Sequence, residues 1–265
     1  MVKKASSYTG TQAVSRALQL LKLFDDTSPE IDLQTLSDNS GLNKSTTFRI
    51  LTALESEGFI QKTDLGYGLG AEAIVLGGRA MRSNNLRDVS RTHLEALSQK
   101  TGETVTLEVL LLGDDNELFS LVIDEVVGRH LVGISQYIGS RLPVHATSSG
   151  KALLAFQSKD VLGNVWQQAL TRFTKQTLKP EGLKRQLKQI RKDGYALAKG
   201  ELEAGLMTAA APVFDVNGRA QAAISLVAPS IRVDETALKT LANDVKESAR
   251  LISNALGYKT GKEGA

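Results

Sequence analysis

Two clusters of side chains have the types and spacing that could do chemistry. The first is Asn43-Lys44-Ser45-Thr46-Thr47-Phe48-Arg49, continued by Thr52. Placed on a helix that enters a DNA groove, Lys44, Ser45, Thr46 and Arg49 would reach phosphates and base edges, and Phe48 would suit a thymine methyl. The second cluster is His145-Ala146-Thr147-Ser148-Ser149-Gly150-Lys151. A histidine just before two serines raises nucleophilic catalysis, but no Gly-x-Ser-x-Gly elbow surrounds them and no local acidic residue would orient the imidazole. Serines at the opening of a helix ordinarily act as caps. A hydrolase with a DNA-binding appendix is therefore the alternative reading, not the leading one.

Other chemistries are excluded by what the 265-residue chain lacks. It has no cysteine, which removes disulfides, thiolate metal sites, iron–sulfur clusters and cysteine nucleophiles. A multi-histidine metal site would need most of His93, His130 and His145, so neither a metal nor a cofactor is expected. Apolar residues make up 42% and charged residues 23%, the balance of a globular chain able to bury a sizeable core. No window approaches the roughly 18 uninterrupted apolar residues of a membrane span, so no membrane partner is expected. The start, Met1 to Ser7, carries charge with no apolar run behind it. No signal peptide is expected there, and the cytoplasm is the expected compartment.

The net charge of +3 is unevenly spread. Residues 1–70 hold seven bases against eight acids, 103–125 hold seven acids and no base, and 171–200 hold nine bases against two acids. The last block reads as a solvated helix face, with attraction of an anion or a second protomer as the alternative. Because the first block is close to neutral, any DNA contact in it must be local, through Lys22, Lys44, Arg49 and Lys62.

The elements that would position the first cluster can be read from periodicity. Over 12–25, Val14, Ala17, Leu18 and Leu21 recur at helical spacing, with Leu20 and Phe24 widening the stripe. Asp32 caps a short second helix that stops at Gly41, and Asn43 caps a third over 44–57. In that third helix Thr47, Ile50, Leu51 and Leu54 share one face, while Ser45, Phe48, Arg49 and Thr52 share the other. Residues 59–62, a turn over 63–66 and residues 67–69 then read as a hairpin. Three short helices and a hairpin make a winged helix-turn-helix, and an outward face this polar argues against use for protein contact alone.

Beyond it, 71–85 reads as a linker helix, and 86–100 as a helix whose stripe includes His93 in a packing role. The period then shortens to 2. Segments 103–112, 117–127 and 130–138 are β-branched and apolar and read as a three-stranded meander. A helix follows from about Ser149, and polar helices run to about Lys192. Next come a strand at 195–199 and a hairpin over 209–216 and 220–228, whose Asn217-Gly218 predicts a type I′ turn. Asp234 caps a last helix, and 260–265 is expected to be a disordered tail. The fold class is α+β, with an antiparallel sheet under helices and a ligand-sized concavity between the sheet and its cover.

In this order the motifs resemble the IclR family of bacterial transcription regulators, from about Gln12 to Gly257. The marks are 13–24, the run from Gly41 to Leu51, Gly58-Phe59-Ile60, Tyr67-Gly68-Leu69-Gly70, the run from Gly139 to Ala155, Gly194-Tyr195-Ala196, and Ala210 to Asp215. The resemblance implies a winged helix-turn-helix over 12–70, a linker helix over 71–87 and a GAF-like effector and oligomerisation domain over 88–258. It implies homodimers or tetramers on palindromic double-stranded operator DNA, and a small-molecule effector that is frequently a carboxylate or aromatic acid. It places effector contacts at Ser148, Ser149 and Gly150, where helix-start amides and hydroxyls favour an anion. Further contacts are implied at Ala198, Leu206, Thr208, Ser225 and Val227. Ala198 stands where many relatives have aspartate, Thr208 where some have cysteine and Val227 where some have serine. These departures predict a less polar pocket, shaped for an aromatic or aliphatic acid. Gly68, where relatives often have a basic residue, weakens the expected contact of the wing with phosphate. DNA contacts are expected from Lys44, Ser45, Thr46, Phe48, Arg49, Thr52 and Lys62, on half-sites about 34 Å apart or a multiple of that. The effector would change operator affinity through the linker helix.

Overall fold

The computed structural model describes residues 11–25, 27–82, 85–113, 117–130 and 137–259. Near residue 83 the chain divides into two compact units. In the first, α1 (Gln12–Leu21), α2 (Leu33–Ser40) and α3 (Lys44–Ser56) precede a small sheet. That sheet holds β1 (Glu30–Ile31), β2 (Ile60–Thr63) and β3 (Gly66–Leu69) in the antiparallel order β1-β3-β2. Both predicted caps form. Asp32 accepts from the Gln34 and Thr35 amides at 2.8 and 3.0 Å, and Asn43 accepts from the Thr46 amide at 2.9 Å. Together they fix where α2 and α3 start, and the left-handed Gly41 between them turns the chain.

The core of this unit is Leu20, Phe24, Ile31, Leu36, Leu51, Ile60 and Tyr67. The stripe read for α1 was rotated away from its true face: Val14 and Leu18 are 61% and 54% exposed, while Leu20 and Phe24 are buried. The reason is that α1 stops at Leu21, so Phe24 reaches the core from the following turn with Leu20 as its helical partner. Val14 instead lines an open groove of about 590 Å³ between α1 and α3, with Ala17, Ile50 and Leu54. Helix α4 (Ala71–Arg82) follows, and none of its residues is buried.

The second unit begins with α5 (Asn85–Thr101). Its sheet has six antiparallel strands: β4 (Thr104–Leu112), β5 (Leu118–Val126), β6 (Arg141–Pro143), β7 (Ala196–Lys199), β8 (Leu206–Phe214) and β9 (Ala220–Pro229). Their order is β6-β5-β4-β9-β8-β7. Alternation along these strands builds two cores. Val105, Leu107, Ala209, Ile224 and Leu226 face α5 and the last helix, α9 (Glu235–Ala255), which Asp234 caps through the Thr236 and Ala237 amides. Ala196, Ala210 and Ala223 point the other way, toward α6 (Ser148–Leu154), α7 (Lys159–Gln167) and α8 (Pro180–Asp193). The small side chains of these three alanines let the covering helices approach the sheet.

Three local readings need correction. The third strand of the meander is the short Arg141–Pro143, after Gly139 and Ser140 have bonded to Val122; of the expected 130–138, residues 131–136 fall outside the described ones, as does the tail 260–265. The hairpin around Asn217-Gly218 closes differently from a two-residue type I′ turn. The Gly218 amide donates to Asp215 O and the Asp215 amide to Arg219 O, so three residues form the loop. The Asp215 carboxylate tips the choice by accepting from the Asn217 and Arg219 amides. The helix of the second cluster is capped by Thr147, whose hydroxyl accepts from the Gly150 amide at 3.1 Å, and the two serines are its first helical residues.

Candidate functional site

The outward face of α3 forms the first site. Thr47 and Leu51 are fully buried, which turns Lys44, Ser45, Phe48, Arg49 and Thr52 outward. Phe48 is 46% exposed, a large apolar ring held in water. Some hydroxyls are already engaged: Ser45 donates to the Asn43 side chain at 2.9 Å and Thr52 to Phe48 O at 2.9 Å. Thr46 and Arg49 border the α1–α3 groove, where Arg16 joins them. Lys62, on the wing, lies 3.1 Å from Glu55 at the end of α3. Both partners are partly solvated, so an approaching phosphate could take that ammonium at little cost.

The second site is a small cavity between the sheet and the start of α6. It brings together Ser148, Ser149, Ala198, Leu206, Thr208 and Ser225, which come from α6 and from strands β7, β8 and β9. Strand register explains the meeting: Ala198 pairs with Thr208, Thr208 with Val227, and Ser225 with Thr106 of β4. Val227 shares the inward face of Ser225 but stands outside the lining, as does Gly150. A Cβ at Gly150 would lie 2.5 Å from Val144 O, so this glycine serves the close approach of α6 to the chain before it. The space left in the cavity is about 20 Å³, room for about one water. A metabolite fits only if the cover moves outward, and the adjoining segment from Gly200 to Gly205 carries Glu201 and Leu202 over the cavity.

Two acidic residues that the motifs did not single out join the expected contacts in the cavity wall. Glu108 and Glu201 both line the cavity and are 1% and 5% exposed. Glu108 accepts from Thr106 Oγ1 at 2.9 Å and from the Ser120 hydroxyl, and Ser120 Oγ lies 3.5 Å from Ser149 Oγ. Burial pushes the Glu108 carboxyl above its ordinary range, against the pull of those hydroxyls. Glu201 is 2.6 Å from Lys151, which is fully buried and also donates to Gln186 Oε1 at 2.9 Å and to Leu197 O at 2.8 Å. Burial pushes Lys151 down and Glu201 up. Three acceptors for three ammonium hydrogens nevertheless suit the charged pair. A signal for Glu108 did exist. In 104–109 the polar Thr104, Thr106 and Glu108 alternate with Val105, Leu107 and Val109, so a carboxyl occupies an inward position.

The geometry gives the hydrolase alternative little support. Ser148 Oγ is 3.4 Å from Ser225 Oγ, whereas His145 Nε2 is 2.9 Å from Thr171 O and its ring stacks on Phe173. The imidazole is thus directed to a backbone carbonyl and an aromatic face. Among the described residues no group of three His, Asp or Glu could hold a metal ion, and no helix is long and apolar enough to cross a membrane.

Comparison with known proteins decides the family. Residues 13–64 match the IclR helix-turn-helix domain, and 78–254 match the bacterial transcriptional regulator IclR C-terminal domain. The chain belongs to the IclR family. It is 34% identical over 250 residues to the transcriptional repressor IclR of Escherichia coli K12, covering 93% of this chain and 90% of that one. It is also 35% identical over 251 residues to the transcriptional regulator XynR of the same organism, covering 93% and 98%. Among solved structures, an IclR homologue from Microbacterium hydrocarbonoxydans complexed with 4-hydroxybenzoate has a TM-score of 0.78 at 27% identity, covering 92% of this chain and 98% of that one. The IclR regulator from Alicyclobacillus acidocaldarius reaches a TM-score of 0.82 at 27% identity, with the same coverage. This IclR-family chain is therefore a DNA-binding transcription regulator with a C-terminal effector domain, and its relatives are regulators, not enzymes.

Proposed function

We propose that this IclR-family regulator binds a palindromic operator as a homodimer or tetramer in the cytoplasm and answers to an organic acid held in the cavity of its second unit. The observation that carries the effector reading is the convergence of Ser148, Ser149, Thr208 and Ser225 on one cavity from distant segments. The 4-hydroxybenzoate complex of the Microbacterium homologue supports an acid as its occupant. Self-association is supported by apolar side chains left in water on the first unit, with Val14, Leu18, Ile74 and Leu76 at 61%, 54%, 79% and 47% exposure. For DNA, Lys44, Ser45, Thr46, Phe48, Arg49 and Thr52 on α3 and Lys62 on β2 are the contacts, with Arg49 the candidate base reader.

The test is selection of bound sequences from random duplex DNA at fixed, near-physiological salt, followed by affinity measurements on the recovered site. A palindrome is expected, and Arg49→Ala is expected to lose about 1–3 kcal/mol on it. No sequence enrichment would overturn the operator reading, and unchanged affinity of the variant at matched salt would remove Arg49 from the interface.

A further inference from the structure

The effector cavity holds two carboxyl side chains and no basic one. Lys151, the nearest cation to Glu201, spends its ammonium hydrogens on Glu201, Gln186 and Leu197 O. Glu108 is held by hydroxyls alone, from Thr106, Ser120 and Ser149. Hydroxyls satisfy hydrogen bonds but carry no net charge, and a buried carboxylate without a counter-ion is costly. A carboxylate can accept about four hydrogen bonds, so Glu108 has acceptor capacity the protein leaves unused. Two more polar atoms on lining residues, Glu201 Oε2 and Thr208 Oγ1, are buried with no hydrogen-bond partner.

This surplus of acceptors constrains the ligand. A plain carboxylic acid would bring its negative charge beside two carboxyls that share a single cation, Lys151, whose ammonium hydrogens are already taken. A protonated amine would supply donors and counter-charge together. Resting on the proposed metabolite control of this cavity, we propose that the effector is an organic acid that also carries a protonated amine, and that Glu108 is the residue that recognises the amine. The hydroxyls of Ser148 and Ser225 bond each other at 3.4 Å, which leaves one hydrogen between them to donate to the acid end. Burial disfavours the ionised form of Glu108, and a bound ammonium would reverse that preference.

The experiment is calorimetry on the full chain with matched probes: 3-aminopropanoate against propanoate, and 4-(aminomethyl)benzoate against 4-methylbenzoate. The amine-bearing member of a pair is expected to bind at least about tenfold more tightly, equivalent to 1.4 kcal/mol. In Glu108→Gln that preference is expected to fall below about twofold. Preference for the amine-free acids in the wild-type chain overturns the inference yet leaves metabolite control standing, and needs no variant to fold. An amine preference that survives Glu108→Gln, or no binding of any amine probe at 20-millimolar order (~20 mM, far weaker than specific recognition), also overturns it. Probes that bind without altering operator affinity would count instead against the regulatory reading of the cavity.

Discussion

At the scale of single residues, the buried Glu108 has a measurable signature without any ligand. Its carboxyl is buried among Thr106, Ser120 and Ser149, and burial outweighs those hydroxyls to raise its pKa above 4.5. Between the unfolded and folded values the unfolded chain binds fewer protons at this site, so stability falls as pH rises through that window. Below the unfolded value both states are protonated and the effect vanishes. Glu108→Gln removes the titration, so the stability of the variant relative to wild type is expected to climb as urea melts move from pH 4.5 toward neutrality. The neighbouring Lys151–Glu201 pair is common to both chains and cancels in the difference. A pH-independent difference would mean that Glu108 titrates normally. The alternation of 104–109 puts Glu108 on the same face as Thr104 and Thr106, but only its pairing with Ala223 of β9 shows which side of the sheet that face meets.

At the scale of elements, sign can be decided by setting propensity against packing. Gly150 lies within α6, where replacing glycine by alanine favours an isolated helix by about 1 kcal/mol. In this fold the new methyl would meet Val144 backbone atoms, which cannot rotate aside as a side chain would. Overpacking of this kind costs about 1–3 kcal/mol, so Gly150→Ala is expected to lower the urea midpoint of the full chain. A raised midpoint would show that the contact is slack. The elements themselves were legible where a local signal was strong. Asp32, Asn43 and Asp234 mark helix starts because their carboxyl or amide oxygens bond nearby amides, whatever the rest of the chain does. The signals failed where tertiary context chose between equals. Val14 and Leu18 fit a helical stripe as well as Leu20 does, but only the latter meets Leu36 and Leu51 in the core. Thr147 took the cap expected of the serines, which freed their hydroxyls for Ser120 and Ser225.

At the scale of the whole molecule, the residues proposed to contact DNA and those proposed to hold the effector stand in different compact units, each with its own core. A ligand in the second unit can therefore alter operator affinity only if the protein has two states that both sites distinguish. Linkage then makes the coupling reciprocal. If an effector changes operator affinity by some factor, saturating operator must change effector affinity by the same factor, typically 5- to 150-fold (about 1–3 kcal/mol). The expected result is that a ligand's calorimetric Kd, measured with and without excess operator duplex, shifts by the ratio seen in the reverse titration of DNA. Effector affinity indifferent to DNA, alongside operator affinity that responds to effector, would violate the cycle and place the acting ligand at another site. Repetition with Glu108→Gln separates recognition from transmission. Loss of ligand affinity at an unchanged ratio assigns Glu108 to binding, whereas a ratio that collapses toward one assigns it to the change of state.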